Sequence, residues 1–112
     1  MKHHALSSFH QPPFQYNCAQ AVLHGYQTVT GDRVLSVADF KPFGGGRAPE
    51  GLCGALYAAT RIAPHAAETL KAEFARRTGA TTCRVLKGQL HHPCPACVST
   101  AVELLETAIV AP

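Results

Sequence analysis

Residues 91–110 read HHPCPACVSTAVELLETAIV, two prolines and two cysteines set directly ahead of a long apolar-patterned run. Val98, Val102, Leu105 and Ile109 recur three or four positions apart and are joined by Ala101 and Leu104. That spacing gathers them on one broad face of an α-helix. Pro95 suits the first helical position, because the N–H it lacks is one that a helix start leaves unpaired anyway. The stretch therefore predicts a core-facing helix, with Cys94 and Cys97 near its opening turn. Thiols placed there can hold a metal, exchange electrons as a disulfide, or fill space.

Working back along the chain, the same punctuation recurs. Asn17 is a good N-cap ahead of CAQAVLHGYQTVT, where Cys18, Val22, Tyr26 and Val29 share a face before Gly31 supplies a stop. Residues 34–43 can hold a short turn, and the glycines at 44–46 break what precedes them. Pro49 and Glu50 suit a helix start that continues through GLCGALYAATRIA, placing Cys53 early in that helix. Pro64 opens the next, with Ala67, Leu70, Phe74 and Ala75 as its stripe and Gly79 as its cap. Thr81 or Thr82 caps a brief helix bearing Cys83, Val85 and Leu86, ended by Gly88. No alternating stretch is long enough to predict a strand. The expected architecture is all-α: one small bundle-like domain of about four or five helices with short connections. Residues 1–15 are expected to form a loosely ordered N-terminal segment, and residues 16–112 a cysteine-rich helical domain.

Composition narrows the function classes. The chain has 112 residues, enough for one core, and 46% of them are hydrophobic. The formal charge of +3 is small, and aromatics make up only 7% without basic interleaving, so no nucleic-acid partner is indicated. Lys71, Arg76 and Arg77 read as the solvated end of a helix, and Glu103 and Glu106 as the solvated side of the last one. The opening MKHHALSSFHQPPF has no apolar run of the secretory kind, and nothing later spans a bilayer. The reading is cytoplasmic, with no membrane insertion.

In that compartment thiols stay reduced, so five cysteines point to a metal site or redox-active thiols rather than a disulfide framework. Cys18, Cys53, Cys83 and Cys94 all fall at or near a first helical turn. Unpaired N–H groups and the positive end of the helix dipole favour an anion there, and they can satisfy a metal-bound thiolate. Neither the paired CxxC of a zinc ribbon nor the closely spaced run of a bacterial ferredoxin is present. Three chemistries stay open: an iron–sulfur cluster, structural zinc, or a metal-free dithiol in which Cys94 attacks and Cys97 or another cysteine resolves. His91 and His92 could add nitrogen ligands but read more simply as a polar loop tip. The FGGGRAPEG stretch, residues 43–51, lacks a phosphate-loop signature and reads as a bend where other atoms approach closely.

NCAQAVL at 17–23, FGGGRAPEGLCGAL at 43–56, TTCRVLKG at 81–88 and CPACVSTAVELLE at 94–106 together resemble the redox-active proteins named for the cysteine pattern C_GCAxxG_C_C. By that resemblance the family cysteines correspond to Cys18, Cys53, Cys83 and Cys94, with Cys97 an extra thiol. The pattern's second glycine is Ala58 here. The resemblance implies a small helical redox protein with an iron–sulfur centre held by those four residues. It supplies no substrate; a redox partner protein is expected, and whether the protein is an enzyme stays open.

Overall fold

A computed structural model describes residues 1–12, 14–44 and 46–110, the side chain of Val110 apart. Among the described residues the chain is all-α: α1 (Lys2–Ser8), α2 (Cys18–Thr30), α3 (Gly54–Ile62), α4 (Ala67–Thr78), α5 (Cys83–Gly88) and α6 (Cys94–Val110). Three 3₁₀ segments, Val37–Phe43, Pro49–Gly51 and Pro64–Ala66, fill the connections. Extended pairing is limited there to two isolated bridges, Phe9 with Tyr16 and Leu52 with Thr82.

Helix α6 forms the spine. Val98, Ala101, Val102 and Leu105 are fully buried, and α1, α2, α3 and α4 all pack against it. Leu23, Leu56, Phe74 and Leu86 complete the core from the other helices. Burying each such side chain contributes about 1.5–3 kcal/mol of transfer free energy. Ile109, expected on the core stripe, is 37% exposed because it lies near the end of α6.

Helix α2 starts and stops where its sequence says. Asn17 Oδ1 accepts the Gln20 N–H at 2.8 Å while Gln20 Oε1 accepts the Asn17 N–H at 3.2 Å, a reciprocal capping box. Gly31, at φ 76°, closes the other end. The buried face runs through Ala19, Val22, Leu23 and Gln27 rather than out to Val29, which is 54% exposed in a last turn that projects beyond the core.

Two local expectations are corrected. The helix expected from Pro49 onward is divided. Glu50 and Gly51 take left-handed φ values of 62° and 71°, Leu52 bridges to Thr82, and the Cys53 N–H donates to Thr81 O at 2.8 Å. Cys53 is thus the N-cap of α3 rather than a residue within a longer helix. Helix α6 begins at Cys94, one residue before Pro95. Within residues 1–15, α1 is a helix that was not anticipated: its seven residues are too few for a periodic signal. Its Ala5 is fully buried, and a Cβ at Gly25 would meet Met1 O at 2.8 Å and Ala5 Cβ at 3.0 Å. The bare glycine lets α1 lie close on α2.

The basic cluster is ion-paired. Lys71 meets Glu68, Arg76 meets Glu73, and Arg77 meets Glu103 at 2.6 Å. Glu103 also takes Lys2 at 2.7 Å, so one carboxylate ties α1 and α4 to α6. Hydrogen bonds from Lys2 and Arg77 hold its carboxyl below the usual glutamate range. A depressed carboxylate stabilises the fold above its unfolded-state pKa and loses that contribution as pH falls through the folded-state value. Glu103→Gln should therefore lower Tm by about 2–5 °C at neutral pH and low salt. Thermal melts across pH should show the gap to the parent closing below about pH 4.

Candidate functional site

The first turns of α2, α5 and α6 and the N-cap of α3 meet at one small cavity. Cys18, Cys53, Cys83, Cys94 and Cys97 all line it, and its volume is about 60 Å³, space for a few water molecules. The four helix-start cysteines singled out in the sequence are therefore brought together, and the fifth joins them from the next turn of α6. All five are free thiols; Cys53 and Cys97 are buried, and Cys18, Cys83 and Cys94 half-buried.

Each sulfur is placed by a local device. The Asn17–Gln20 capping box orients the first turn of α2 and hence Cys18. Asn17 Nδ2 also donates to Lys41 O at 2.9 Å, and Gln20 Nε2 to Val37 O at 3.2 Å, which fastens that turn to the 3₁₀ segment before the glycines. The glycines work by what they lack. A Cβ at Gly44 would stand 2.8 Å from Asn17 Cβ, and one at Gly46, where φ is 82°, would stand 3.3 Å from Cys83 Cβ. At Gly54 the clash is worst: 2.6 Å to Cys18 Sγ and 2.7 Å to Phe43 O. FGGG and CGA thus describe one crowded place, reached from two parts of the chain. Ala58, in the position of the pattern's second glycine, is fully buried in the core.

Amide donors rim the cavity. The Ala55 and Ala19 N–H groups bond to Cys18, and those of Leu56 and Ala55 to Cys53, using donors that the first turns of α2 and α3 cannot satisfy internally. Lys87 adds a full positive charge. It stands four residues after Cys83 on α5, lines the cavity, and donates from Nζ to Cys94 Sγ. That i,i+4 relation was legible and unread: a lysine one turn beyond a helix-start cysteine shares its face.

Burial pushes the Cys18 thiol up to about 11, with the Cys53 and Cys94 sulfurs adding to the rise and the amides opposing it. Cys53 is raised because its S–H donates to Cys97 and because it is buried. Burial raises Cys83 against the pull of Lys87. Cys97 is lowered, since the hydrogen bond from Cys53 and the charge of Lys87 outweigh its burial. Burial opposes the Lys87 charge, but the bond to Cys94 prevails and raises its pKa. The site is thus thiol-rich, desolvated and supplied with positive charge, suited to holding sulfur-bound negative charge or passing electrons through sulfur.

Cys94 and Cys97 line the same cavity, but their polar partners differ: Lys87 for Cys94 and Cys53 for Cys97. His91 is exposed with φ 53°, and His92, whose N–H donates to Leu86 O at 2.7 Å, does not line the cavity. Among the described residues, no three His, Cys, Asp or Glu side chains are arranged to hold a single metal ion.

Over residues 16–108 the chain matches the family model described as "Putative redox-active protein (C_GCAxxG_C_C)". The chain belongs to the C_GCAxxG_C_C family. No curated protein and no solved structure matches it. The matched span includes all five cysteines of the cavity and Gly54, the residue on which a Cβ would strike Cys18.

In this C_GCAxxG_C_C protein Gly54→Ala should cost about 1–3 kcal/mol through overpacking against sulfur and backbone. Gly88→Ala meets nothing within 4 Å and should fall within about 1 kcal/mol of the parent, on the stabilising side. Thermal midpoints of the two variants provide the comparison.

Proposed function

We propose that Cys18, Cys53, Cys83 and Cys94 bind an iron–sulfur cluster that serves in electron transfer or redox sensing, with Cys97 outside the ligand set. The observation that carries this reading is the convergence of thiols from four helix starts on one cavity rimmed by amide donors. Soft thiolates suit iron–sulfur clusters. The first turns that deliver them bring dipole ends worth roughly half a unit of positive charge each, and with Lys87 these offset the charge of four thiolates. The cluster would supply one-electron chemistry. The protein's part is to hold the sulfurs, exclude bulk water and set the potential through burial and N–H to sulfur bonds.

Access runs along α5. Cys83 and Lys87 also border an outer groove of about 840 Å³ flanked by Gly46 and Glu50, and this groove is where a redox partner protein would exchange electrons. Reduced thiols suit a cytoplasmic setting. No helix among the described residues is long and apolar enough to cross a membrane.

Anaerobic purification, or reconstitution with iron and sulfide, should give a brown protein with visible charge-transfer absorbance and acid-labile sulfide. Serine at position 18, 53, 83 or 94 should reduce bound iron about tenfold or more, while Cys97→Ser should retain it. Colourless protein without iron after reconstitution would remove this reading, and stoichiometric zinc in its place would favour a structural metal.

A further inference from the structure

The charges beside the outer groove differ from those on α4. There each basic side chain is matched: Lys71 by Glu68, Arg76 by Glu73 and Arg77 by Glu103. Along the groove they are not. Arg84, exposed on the first turn of α5, lines the groove and meets no carboxylate among the described residues. Arg47 is exposed one residue past Gly46, which also lines the groove, and it is fixed to the FGGG bend by a bond from Nε to Gly44 O at 3.1 Å rather than by an acid. Lys87 stands between groove and cavity, turned to Cys94. Glu50 is the acid of the groove wall. An apolar contact lies at the same place: Leu90, which follows Gln89 of that wall, is 46% exposed.

We propose that this groove docks a small acidic electron-carrier protein, whose carboxylates face Arg84 and Arg47 and whose apolar surface covers Leu90. That an electron carrier comes here rests on the cluster proposed above: Cys83 lines both groove and cavity, so a redox group brought to the groove stands beside a ligating sulfur. The preference for an acidic surface does not depend on the cluster. Arginines without acidic partners attract an anionic surface over a Debye length, about 10 Å at 0.1 M salt. Their guanidinium groups are weakly hydrated and their planar forks pair with carboxylates two bonds at a time. A lone exposed leucine keeps water out of the contact but is too little to hold a complex by itself. The outcome is a weak, salt-sensitive encounter of the small kind that electron-transfer pairs make. A protein fits better than a nucleic acid, because Glu50 would repel a phosphate backbone, whereas a protein can meet it with a base of its own.

The probe is a plant-type ferredoxin, an acidic electron carrier, titrated into the ¹⁵N-labelled full-length chain and followed by amide NMR at low salt. Signals of residues 46–51 and 82–90 should move or broaden, and those of α4 should stay. Raising the salt to about 0.3 M should weaken the complex at least about tenfold. Arg84→Glu and Arg47→Glu should each weaken it about fivefold or more, while Arg76→Glu on α4, with the same change in net charge, should weaken it less than about twofold. Both groove arginines are exposed, so their variants should fold as the parent does, and Arg84→Gln should fall between parent and Arg84→Glu. Shifts centred elsewhere, equal losses in all three glutamate variants, or tighter binding of a short DNA duplex or of phosphatidylglycerol vesicles at the same residues would overturn the inference. The map is recorded on the metal-free chain and repeated after reconstitution with iron and sulfide. A groove-centred map with no iron bound removes the cluster and leaves the docking site; bound iron without a groove-centred map does the reverse.

Discussion

A carbon atom added at Gly54 would stand 2.6 Å from the sulfur of Cys18 and 2.7 Å from the carbonyl oxygen of Phe43, separations that real side chains essentially never reach. The start of α3 can lie against the start of α2 only because that carbon is missing. Close approach puts the Ala55 N–H on Cys18 as well as on Cys53, so one amide serves sulfurs from two helices. The FGGG bend repeats the solution, with Gly44 against Asn17 and Gly46 against Cys83. Absent side chains at three positions thus let four chain segments crowd one small volume. The thiols gather because backbone, rather than side chains, fills the space between them.

The crowding sets the electrostatics. Gathering thiols away from water works against their ionised forms, which is why burial raises Cys18 and Cys83. The cavity counters with helix-start amides and with Lys87, a full cation in its wall. Cys97 is displaced in the opposite direction from Cys18, Cys53 and Cys83, because the hydrogen bond from Cys53 and the charge of Lys87 outweigh its burial. Chemically identical thiols therefore meet different surroundings in one cavity, through burial for Cys83 and through a hydrogen-bonding partner for Cys97.

Much of this was legible along the chain, and the parts that were not share a cause. Asn17, Gly31 and Gly79 act through bonds within a few residues, so their caps are found where the pattern puts them. The break before α3 depends on Leu52 and Cys53 pairing with Thr82 and Thr81, residues remote in sequence, and a local pattern reads straight through it. Helix α1 is too short to declare itself and owes its place to Gly25 on another element. That Cys97 lines the cavity with the four helix-start thiols was beyond reach for the same reason, and Cys97 looked spare. Lys87 and Gln20 are different: their positions, four residues after a helix-start cysteine and three after an N-cap, carried the signal in plain spacing.

The order of the cavity's walls along the chain has a consequence for biosynthesis. Its contributors lie at positions 18, 53, 83, 94 and 97, so the pocket closes only when α6 has left the ribosome and docked. Until then the earlier thiols stand on partly assembled helices, open to adventitious metals and to cross-linking with other chains. Docking of α6 is thus the step that completes the cavity's wall.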